Sequence, residues 1–578
     1  MRKKAVAALM AMAMCVSMLA GCGNDEGTVS SENPGDSEAS APAAGNSAES
    51  SSESSAGSEE GAEPSSADEL VQTWPDGQVV TWLVRDLGLA DGNTRYNEIK
   101  VVDKIEEDLN IKIQFEVYGR EGDEAVLNRL TAGDLPDLIS WQWNEFYYDK
   151  GGIPGMYRDG ICIELNDLIN TKIPNLKSIL EEYPAVARDM INDEGQYLFF
   201  QKINPMATPE DIMSKTTYGF VLRQDWLDNV NMSVPTTIDE WYNVLTAFKT
   251  QDPNGNGEFD EIPYDATAAG INMFQAAFGM KESQYVDPDT GKVDYGARTQ
   301  KYKAYLEEMN KWYSEGLIGN VYTEAGGWVD YKDGSDTTII ADQAGSWKGL
   351  ANADKTWTVQ LQEKNPKAAL VAAPWIKTES GEMYSDASLS YTTREAVLVT
   401  TDCDCLDAVA AVVNWMYDPK NSEYMTWGEE GVTFEYAADG TRHLTEKGLG
   451  KDVLSYGAEI PAYKIYADNA SYFPCFGCAD VDLAAQAEWY VNASKTWADA
   501  NFDLTYPAGI SLSAEQAEKV NTDNNAELFE YIGQMKWKFI TGQEPLSNFD
   551  TYVSNLERMG ISDIVAVYQE AYDKYMAR

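Results

Sequence analysis

An alternation of strand and helix patterns near the start of the chain restricts the fold most strongly. Residues 78–84 are mostly apolar, as in a buried strand, and residues 112–117 alternate between polar and apolar side chains. An amphipathic pattern at residues 96–109 lies between them, and a helical pattern near residues 124–132 precedes a third strand at residues 138–140. Strands separated by helices in this order form a sheet with parallel neighbours. The sequence therefore predicts an α/β fold.

The length of the chain predicts more than one lobe. The 578 residues exceed what one hydrophobic core usually supports. No stretch after Ala20 is long and apolar enough to span a membrane, and no internal repeat is present. We therefore expect two or more lobes outside the membrane.

The first residues have the pattern of an export signal. Three basic residues at positions 2–4 precede a short apolar run that ends at Ala20. The sequence Leu19-Ala20-Gly21-Cys22 resembles a bacterial lipobox, which implies cleavage after residue 21 and attachment of diacylglycerol to Cys22. An ordinary secretory peptide is the alternative. Several acyl chains would hold the protein durably on a bilayer.

A low-complexity segment follows the predicted signal peptide. Residues 23–70 contain 12 acidic residues, no Lys or Arg and no aromatic residue. Such a segment cannot bury enough apolar surface to offset the entropy of ordering it. We predict that residues 22–70 form a disordered spacer behind residues 1–21.

Charge and histidine content exclude several classes of function. The chain has 94 acidic and 44 basic residues, a formal charge of −50, and one histidine, His443. A phosphate-backbone binder needs a basic face, so nucleic acid is excluded as a partner. With one histidine in a polar turn, Ser-His or Cys-His nucleophile systems and His-rich zinc sites are disfavoured. Carboxylate chemistry and plain binding remain open.

Residues 252–261 predict a structural calcium site. Oxygen-bearing side chains occur at alternate positions around Gly255 and Gly257, and calcium prefers six to eight oxygens at flexible geometry. The pattern departs from an EF-hand because Pro263 takes the place of the bidentate glutamate. An Asx-rich surface turn without metal is the alternative. The candidate ligands are Asp252, Asn254, Asn256, Glu258, Asp260 and Glu261.

Six motifs in order resemble one family over essentially all of residues 71–578. They are Gly133-Asp-Leu-Pro-Asp-Leu-Ile, Arg223-Gln-Asp-Trp, Pro235-Thr-Thr-Ile-Asp-Glu-Trp, Asp252-Pro-Asn-Gly-Asn-Gly-Glu-Phe-Asp-Glu, Tyr313-Ser-Glu-Gly-Leu and Trp427-Gly-Glu-Glu-Gly. Together with the lipobox, they resemble the bacterial extracellular solute-binding proteins of family 1. That family comprises the substrate-capturing lipoproteins of ABC importers for oligosaccharides, and its members include maltose-binding and alginate-oligosaccharide-binding proteins.

The resemblance implies a two-lobed periplasmic-binding-protein-like fold with a solute held between the lobes. We expect lobe 1 at residues 71–215 plus about 375–425, and lobe 2 at about 216–374 plus 426–578. The implied partners are an oligosaccharide and the transmembrane subunits of an ABC permease. The implied protein is a monomer, attached only by its lipid to the outer face of a Gram-positive type of cell membrane. The resemblance also favours calcium over an empty turn at residues 252–261.

Aromatic residues are the predicted basis of sugar binding. A pyranose stacks its C–H faces on aromatic rings, while its hydroxyls need a few fixed polar partners. The resemblance implies cleft positions for Trp141 and Trp347, and an acid where this chain has Asn144. The predicted solute-binding residues are Trp141, Trp143, Asn144, Tyr218, Asn272, Phe274, Trp328, Trp347, Trp375 and Tyr391.

Other aromatic residues and the cysteines have simpler interpretations. Trp226, Trp241, Trp312 and Trp415 have apolar neighbours at helical spacing and are expected to pack in cores. Cys403-Asp-Cys405 and Cys475-Phe-Gly-Cys478 could form a four-thiolate zinc site, form disulfides, or remain free with Cys162. The spacing lacks paired CxxC motifs, so no metal is assigned to the cysteines.

Three functions compete at this level. The first is a non-enzymatic sugar-binding protein that closes around its solute and delivers it to a permease. The second is a secreted glycoside hydrolase, which needs only two carboxylates, although no pair is distinguished by a motif. The third is a calcium-dependent adhesin, which would have repeated domains. The first function agrees best with the ordered motifs.

Overall fold

The computed structural model describes residues 74, 76–85, 96, 98–118, 123–142, 152–266, 268–319, 337–352, 357–392, 395–453, 459–466, 473–477, 480–510 and 512–578. The predicted signal peptide, the spacer, Cys22, Trp143, Asn144 and Trp328 lie outside these ranges. All described residues belong to one compact unit, Ser66–Arg578. Within the described ranges, no helix combines the length and apolar character of a membrane span.

Thirteen strands are described. They are β1 Gln78–Arg85, β2 Ile111–Tyr118, β3 Leu138–Gln142, β4 Tyr218–Arg223, β5 Gln284–Asp287, β6 Lys292–Tyr295, β7 Ser346–Leu350, β8 Leu370–Ala373, β9 Glu395–Val399, β10 Phe434–Tyr436, β11 Arg442–Leu444, β12 Lys451–Val453 and β13 Glu459–Pro461.

Twenty-two α-helices are described. Those before residue 365 are α1 Lys100–Leu109, α2 Asp123–Ala132, α3 Gly152–Arg158, α4 Asn166–Lys172, α5 Pro174–Glu182, α6 Pro184–Met190, α7 Pro209–Lys215, α8 Gln224–Asn229, α9 Ile238–Thr250, α10 Ala268–Met273, α11 Gln300–Ser314, α12 Thr337–Ile340 and α13 Val359–Lys364. The later ones are α14 Leu406–Tyr417, α15 Pro419–Trp427, α16 Glu446–Leu449, α17 Asp480–Ala484, α18 Glu488–Ala498, α19 Ala514–Val520, α20 Asp523–Ile540, α21 Phe549–Arg558 and α22 Ile561–Ala577.

The first sheet has the strand order β2-β1-β3-β9. Strand β1 pairs in parallel with β2 and β3, as the strand–helix alternation predicts, while β9 joins β3 antiparallel. Side chains of β1 and α1 form a core with the apolar face of α14. A smaller cluster packs on the other side of the strands, where Leu83, Ile139 and Leu398 meet α2 and α3.

The second sheet has the order β7-β4-β8, with both outer strands antiparallel to β4. Its core is rich in aromatic rings, including Trp226, Trp241 and Trp312, each 0% exposed. With Trp415 at 7% exposure in the first core, all four tryptophans predicted to pack are confirmed as core residues. The sequence signal was sufficient because these rings lie on helices with apolar neighbours at helical spacing.

The chain passes between the two cores three times. It leaves the first core after Ile203 and enters the second at Phe220, then returns between Tyr384 and Ala396. A third passage separates Cys475, in the first core, from Leu504, in the second. The predicted lobe boundaries remain a prediction, but core membership places Trp375 with the second core and Cys475 with the first.

Local sequence signals agree with the structure at the start of α9 and disagree with it at residues 337–340. Thr237 caps α9 by accepting a hydrogen bond from the Glu240 backbone N–H. Four consecutive β-branched residues at positions 337–340 predict a strand, but this prediction is wrong: they form the short helix α12, and the strand follows at Ser346–Leu350. Two β-branched pairs favoured a strand, but the helical turn buries Ile339 against Trp347.

Candidate functional site

A cavity of about 570 Å³ lies where the two cores approach each other. The side of the first core supplies residues 152–154, residues 189–192, Gln196, Leu198, Phe199 and Gln201 to its wall. Lys281, Ser283, Gln284, residues 505–510, Leu512 and Tyr568 come from the side of the second core. Ser388, Ser390 and Thr392 come from the second passage between the cores. A solute in this cavity would touch both halves of the molecule at once.

The cavity wall suits a polar ligand. Hydroxyl and amide side chains dominate its polar part, while Phe199, Tyr506 and Tyr568 supply rings. Tyr506 and Tyr568 pack edge to face with ring centroids 5.4 Å apart, and the Tyr506 hydroxyl donates to the Tyr568 carbonyl over 3.0 Å. Aromatic faces beside a few fixed polar groups are the usual composition of a sugar site.

Asp189 is an acid in the cavity wall with a shifted pKa. It lies at the end of α6, and burial raises the pKa of its carboxyl despite hydrogen bonds from Tyr575 and the Tyr391 backbone and the nearby charges of Arg188 and Arg578. Gly509 permits a close approach to this carboxylate, because a Cβ at position 509 would lie 2.3 Å from Asp189 Oδ1. The group is therefore held tightly at the cavity wall.

A buried charge cluster adjoins the same cavity. Lys281 lines the wall and donates from Nζ to the Asp386 carbonyl over 2.7 Å, while the Tyr218 hydroxyl donates to Asp386 Oδ1 over 3.0 Å. Burial lowers the pKa of Lys281 and of Lys348, whose Nζ lies 4.3 Å from the centroid of the Tyr218 ring. Burial raises the pKa of Asp386, although both lysines oppose this shift.

Two of the predicted solute-binding residues lie next to the cavity. Tyr218 donates a hydrogen bond to Asp386, which also accepts one from Lys281 in the cavity wall. Tyr391 is half-buried between Ser390 and Thr392, which both line the wall. Trp141 is in β3, but its side chain is not among those described. Their roles in binding remain predictions.

Three of the other described predicted residues are aromatic rings that pack in cores. Phe274 and Trp375 are each 1% exposed in the second core, and Trp347 is 0% exposed in a separate cluster with Trp357 and Trp497. These three expectations are corrected to packing roles, because a fully covered ring presents no face to a ligand. Asn272 is occupied in a similar way, with its Oδ1 accepting from Gln275 Nε2 at 3.1 Å and Lys536 Nζ at 3.2 Å.

The sequence did not point to the residues that line the cavity. Asp189, Lys281, Ser390 and Tyr506 are far apart along the chain and belong to no motif. The one available signal was the turn sequence Tyr506-Pro507-Ala508-Gly509, which marks a loop without assigning it a role. The passages between the cores bring these segments together, and a linear pattern does not encode that arrangement.

Several side chains of the predicted calcium loop are hydrogen-bonded within the loop. Asp252 accepts hydrogen bonds from the backbone N–H groups of Asn256 and Gly257 at 3.1 and 3.0 Å, with its own φ at +47°. Asn254 and Asn256 also accept from N–H groups two residues further along, as in Asx turns. Asp260 is held by Gln343 Nε2 at 2.6 Å and Asn256 Nδ2 at 3.1 Å.

Glu261 distinguishes this loop from an ordinary turn. Its side chain is 2% exposed, and neither carboxylate oxygen has a hydrogen-bond partner. Burial raises the pKa of Glu261, and the neighbouring charges of Asp252 and Asp260 add to the shift. Two unpartnered buried oxygens beside two further carboxylates fit a bound cation, so the residues present suit calcium.

Comparison with known proteins agrees with the motif resemblance, although no family model matches the chain. The chain is 25% identical over 500 residues to the fructooligosaccharide ABC transporter substrate-binding protein FusA of Streptococcus pneumoniae serotype 4, covering 83% of this chain and 88% of FusA. It is 24% identical over 454 residues to the polygalacturonan/rhamnogalacturonan-binding protein YtcQ of Bacillus subtilis, covering 77% and 82% of the two chains. The expected resemblance to sugar-binding proteins of transporters is thus confirmed.

Solved structures confirm the two-lobed α/β fold. A solute-binding protein of Bifidobacterium longum infantis described as binding HMO matches with a TM-score of 0.64 at 20% identity, over 86% of this chain and 99% of that one. An EF-hand mutant of FusA in complex with fructo-nystose matches with a TM-score of 0.61 at 23% identity, over 86% and 99% of the two chains. At these identities the structures establish the fold of the present chain.

Proposed function

We propose that this protein is the substrate-binding component of an ABC importer and that it captures an oligosaccharide in the cavity between its two cores. The observation that supports this function best is the composition of the cavity wall, to which both cores and a connecting passage contribute. A solute that contacts both halves favours the conformation in which they are close together. That preference provides the signal that a permease can recognise.

The chemistry of the wall supports a carbohydrate ligand. Serine, threonine, asparagine and glutamine side chains match the alternating donors and acceptors of sugar hydroxyls, and three rings offer stacking faces. FusA is described with fructooligosaccharides and YtcQ with polygalacturonan and rhamnogalacturonan, so the class shared by these relatives is a carbohydrate of more than one sugar unit. Both relatives are binding proteins, which favours binding over the glycoside hydrolase alternative.

Calorimetry with a sugar panel tests this function. The panel would contain fructooligosaccharides, milk oligosaccharides and oligogalacturonides, with the corresponding monosaccharides as controls. We expect saturable binding of one oligosaccharide class, weaker binding of its monosaccharide, and no new product in the recovered ligand by mass spectrometry. Turnover of any glycoside would contradict a pure binding function, and the absence of binding across the panel would contradict a sugar ligand.

The proposal includes an attachment to the membrane. Cleavage before Cys22 and acylation of its thiol would leave residues 23–70 as a tether of 12 acidic residues on the outer face of the cell membrane. Mass spectrometry of the mature protein should show a lipid-modified N-terminal cysteine. The folded part would then diffuse near its permease as a monomer, and the acidic surface would require complementary charge on the permease loops.

The proposal also includes a structural calcium ion in the loop at residues 252–261. Asp252, Asn254, Asn256, Glu258, Asp260 and Glu261 are the groups that would hold it, with Glu261 as the buried carboxylate. The ion would neutralise carboxylates that otherwise repel one another. One structure that this chain resembles is described as an EF-hand mutant of FusA, which supports the presence of such a loop in related proteins.

A further inference from the structure

A second cation site is suggested by three side chains at one end of the first sheet. The carboxylate of Asp137 and the thiols of Cys403 and Cys405 offer ligand atoms that all lie within 4.8 Å of one another. They are remote from the oxygen-rich loop at residues 252–261, which belongs to the other half of the molecule. In the described part of the chain, this is the one group of three or more acidic, thiol or imidazole side chains that converges in this way.

Sheet topology explains why residues so distant in sequence meet. Because β3 and β9 are antiparallel, the start of β3 lies beside the end of β9, where Leu138 pairs with Val399. Asp137 immediately precedes β3, and the Cys403–Cys405 segment follows β9. The Thr400 backbone N–H donates to the Asp137 carbonyl over 3.0 Å, and the Thr400 hydroxyl donates to the Pro136 carbonyl over 2.5 Å. The backbone around the cluster is therefore fixed.

The carboxylate is held in one orientation by β1. Asp137 Oδ2 accepts hydrogen bonds from the backbone N–H and the hydroxyl of Thr81, at 2.8 and 2.6 Å. In return, the Thr81 hydroxyl accepts from the Asp137 backbone N–H over 2.9 Å. These bonds occupy Oδ2, and the carboxylate also interacts with the thiols of Cys403 and Cys405. A carboxylate positioned by neighbouring groups in this manner is typical of metal ligands.

The thiol pair has features of a ligand pair. Cys405 is 9% exposed and occupies the N-cap position of the 12-residue helix α14. Cys403 is half-buried, and the adjacent Asp402 and Asp404 are exposed. Their negative charges would attract cations to the open side of the cluster.

We propose that Asp137, Cys403 and Cys405 form a binding site for a thiophilic divalent cation of the Zn²⁺ class. Thiolate and carboxylate ligands around zinc stand roughly 3.5 Å apart, given metal–ligand distances of about 2.0–2.3 Å. Side-chain rotations that move the ligand atoms by roughly 1 Å would bring the three atoms to that spacing. Binding forms two metal–sulfur bonds and one metal–oxygen bond and releases both thiol protons to solvent. The fourth position, at the exposed side of Cys403, would take water.

Cadmium titration of the purified, reduced protein tests the site. Cd²⁺ bound by thiolates gives an ultraviolet sulfur-to-metal absorption band, and we expect this band to saturate at one equivalent. Cys403→Ser and Cys405→Ser should each weaken binding at least tenfold and reduce the band. Asp137→Asn should weaken binding while retaining both sulfur–metal bonds. Excess Ca²⁺ should not displace Cd²⁺ from this site.

A matched control is available in Cys162. This thiol is 1% exposed in the neighbouring cluster, and burial raises its pKa to about 12, so Cys162→Ala should leave the titration unchanged. As a readout that needs no variant, one equivalent of Cd²⁺ should protect Cys403 and Cys405 of the unaltered protein from alkylation, as mapped by peptide mass spectrometry. Equal binding by the Cys403→Ser variant, absence of protection, or isolation of the native protein with a Cys403–Cys405 disulfide would each overturn the proposal.

Discussion

Arg578 and Asp193 are joined by an ion pair in which Nη2 lies 2.6 Å from Oδ1. Arg578 follows α22, which packs in the second core, while Asp193 follows α6, whose Val186 and Met190 belong to the first. The same guanidinium donates to the carbonyls of Arg188 and Gly509 at 3.3 and 3.4 Å. The end of α22 thus connects the two cores beside the cavity that both of them line.

The neighbouring Tyr575 provides a test of this connection. Its hydroxyl donates to Asp189 Oδ1, and its side chain is 3% exposed. Tyr575→Phe removes that donor from a buried carboxylate and should lower the free energy of unfolding by about 1–2 kcal/mol. Urea denaturation measures the change. Tyr572→Phe on the same helix is the control, and equal effects of the two substitutions would contradict a specific role for the Tyr575 hydroxyl.

Asp189 should make stability depend on pH. Burial raises its pKa in the folded state above about 3.9, the ordinary value for an unfolded chain. The favourable contribution of Asp189 to the free energy of unfolding is therefore fully present below the unfolded pKa. It is lost as pH rises through the folded pKa. Asp189→Asn should be the more stable protein at neutral pH, and its advantage should vanish as pH falls toward the unfolded value. Urea denaturation across pH values from 3 to 8 would check this, and a difference that does not vary with pH would contradict it.

Phe199 is the ring in the wall most suited to a stacking test. It is half-buried and lines the cavity. Phe199→Leu keeps an apolar side chain but removes the flat face, so affinity for the oligosaccharide should fall by about 1 kcal/mol. Phe529→Leu is the matched control, since Phe529 is also half-buried but stacks on Tyr295 in the second core at 6.0 Å. Calorimetry should show weaker binding only for the first variant.

Trp347 should show the opposite behaviour. Its ring is 0% exposed and packs edge to face on Trp357 with centroids 6.0 Å apart. Trp347→Phe leaves a small void and should cost roughly 1–3 kcal/mol of stability, while the affinity of the folded protein for sugar stays the same. Thermal unfolding and calorimetry on one preparation separate the two quantities. A loss of affinity without a loss of stability would return Trp347 to the solute-binding residues.

These cases show how much of the fold and site the sequence could predict. Strand and helix periodicity located β1, α1, β2 and β3 to within a few residues, because hydrophobic patterns report local burial. The same patterns could not distinguish a buried ring in a core from a ring in a cleft. Trp347 and Trp375 follow strand patterns that resemble cleft positions, yet both are completely covered. Burial at that level depends on which distant segment packs over the ring.

The cavity could not be predicted from local sequence patterns. Its wall combines the end of α6, the start of β5, the second passage between cores and the loop at Tyr506. Only the three crossings of the chain bring these segments together. By contrast, the calcium site proposed at residues 252–261 has a sequence pattern because its oxygen-bearing residues lie within ten consecutive positions. A short-range site leaves a sequence signal, whereas a site assembled from distant loops leaves almost none.

Glu261 gives the sharpest test of the calcium proposal, because the effect of one substitution should reverse with the ion. Without calcium, its unpartnered carboxylate is buried near Asp252 and Asp260, so Glu261→Gln should raise the melting temperature. With calcium at about 100 times its Kd, the unaltered protein should gain roughly 2.7 kcal/mol in its free energy of unfolding, and the variant should gain less and become the less stable of the two.

Asp439→Asn is the control, since Asp439 is an exposed turn carboxylate that accepts from Thr441 N–H over 3.0 Å. Its response to calcium should match that of the unaltered protein in scanning calorimetry with chelator or calcium. An unaltered protein whose melting temperature ignores calcium, or a Glu261→Gln variant that responds as strongly, would contradict a metal at this loop.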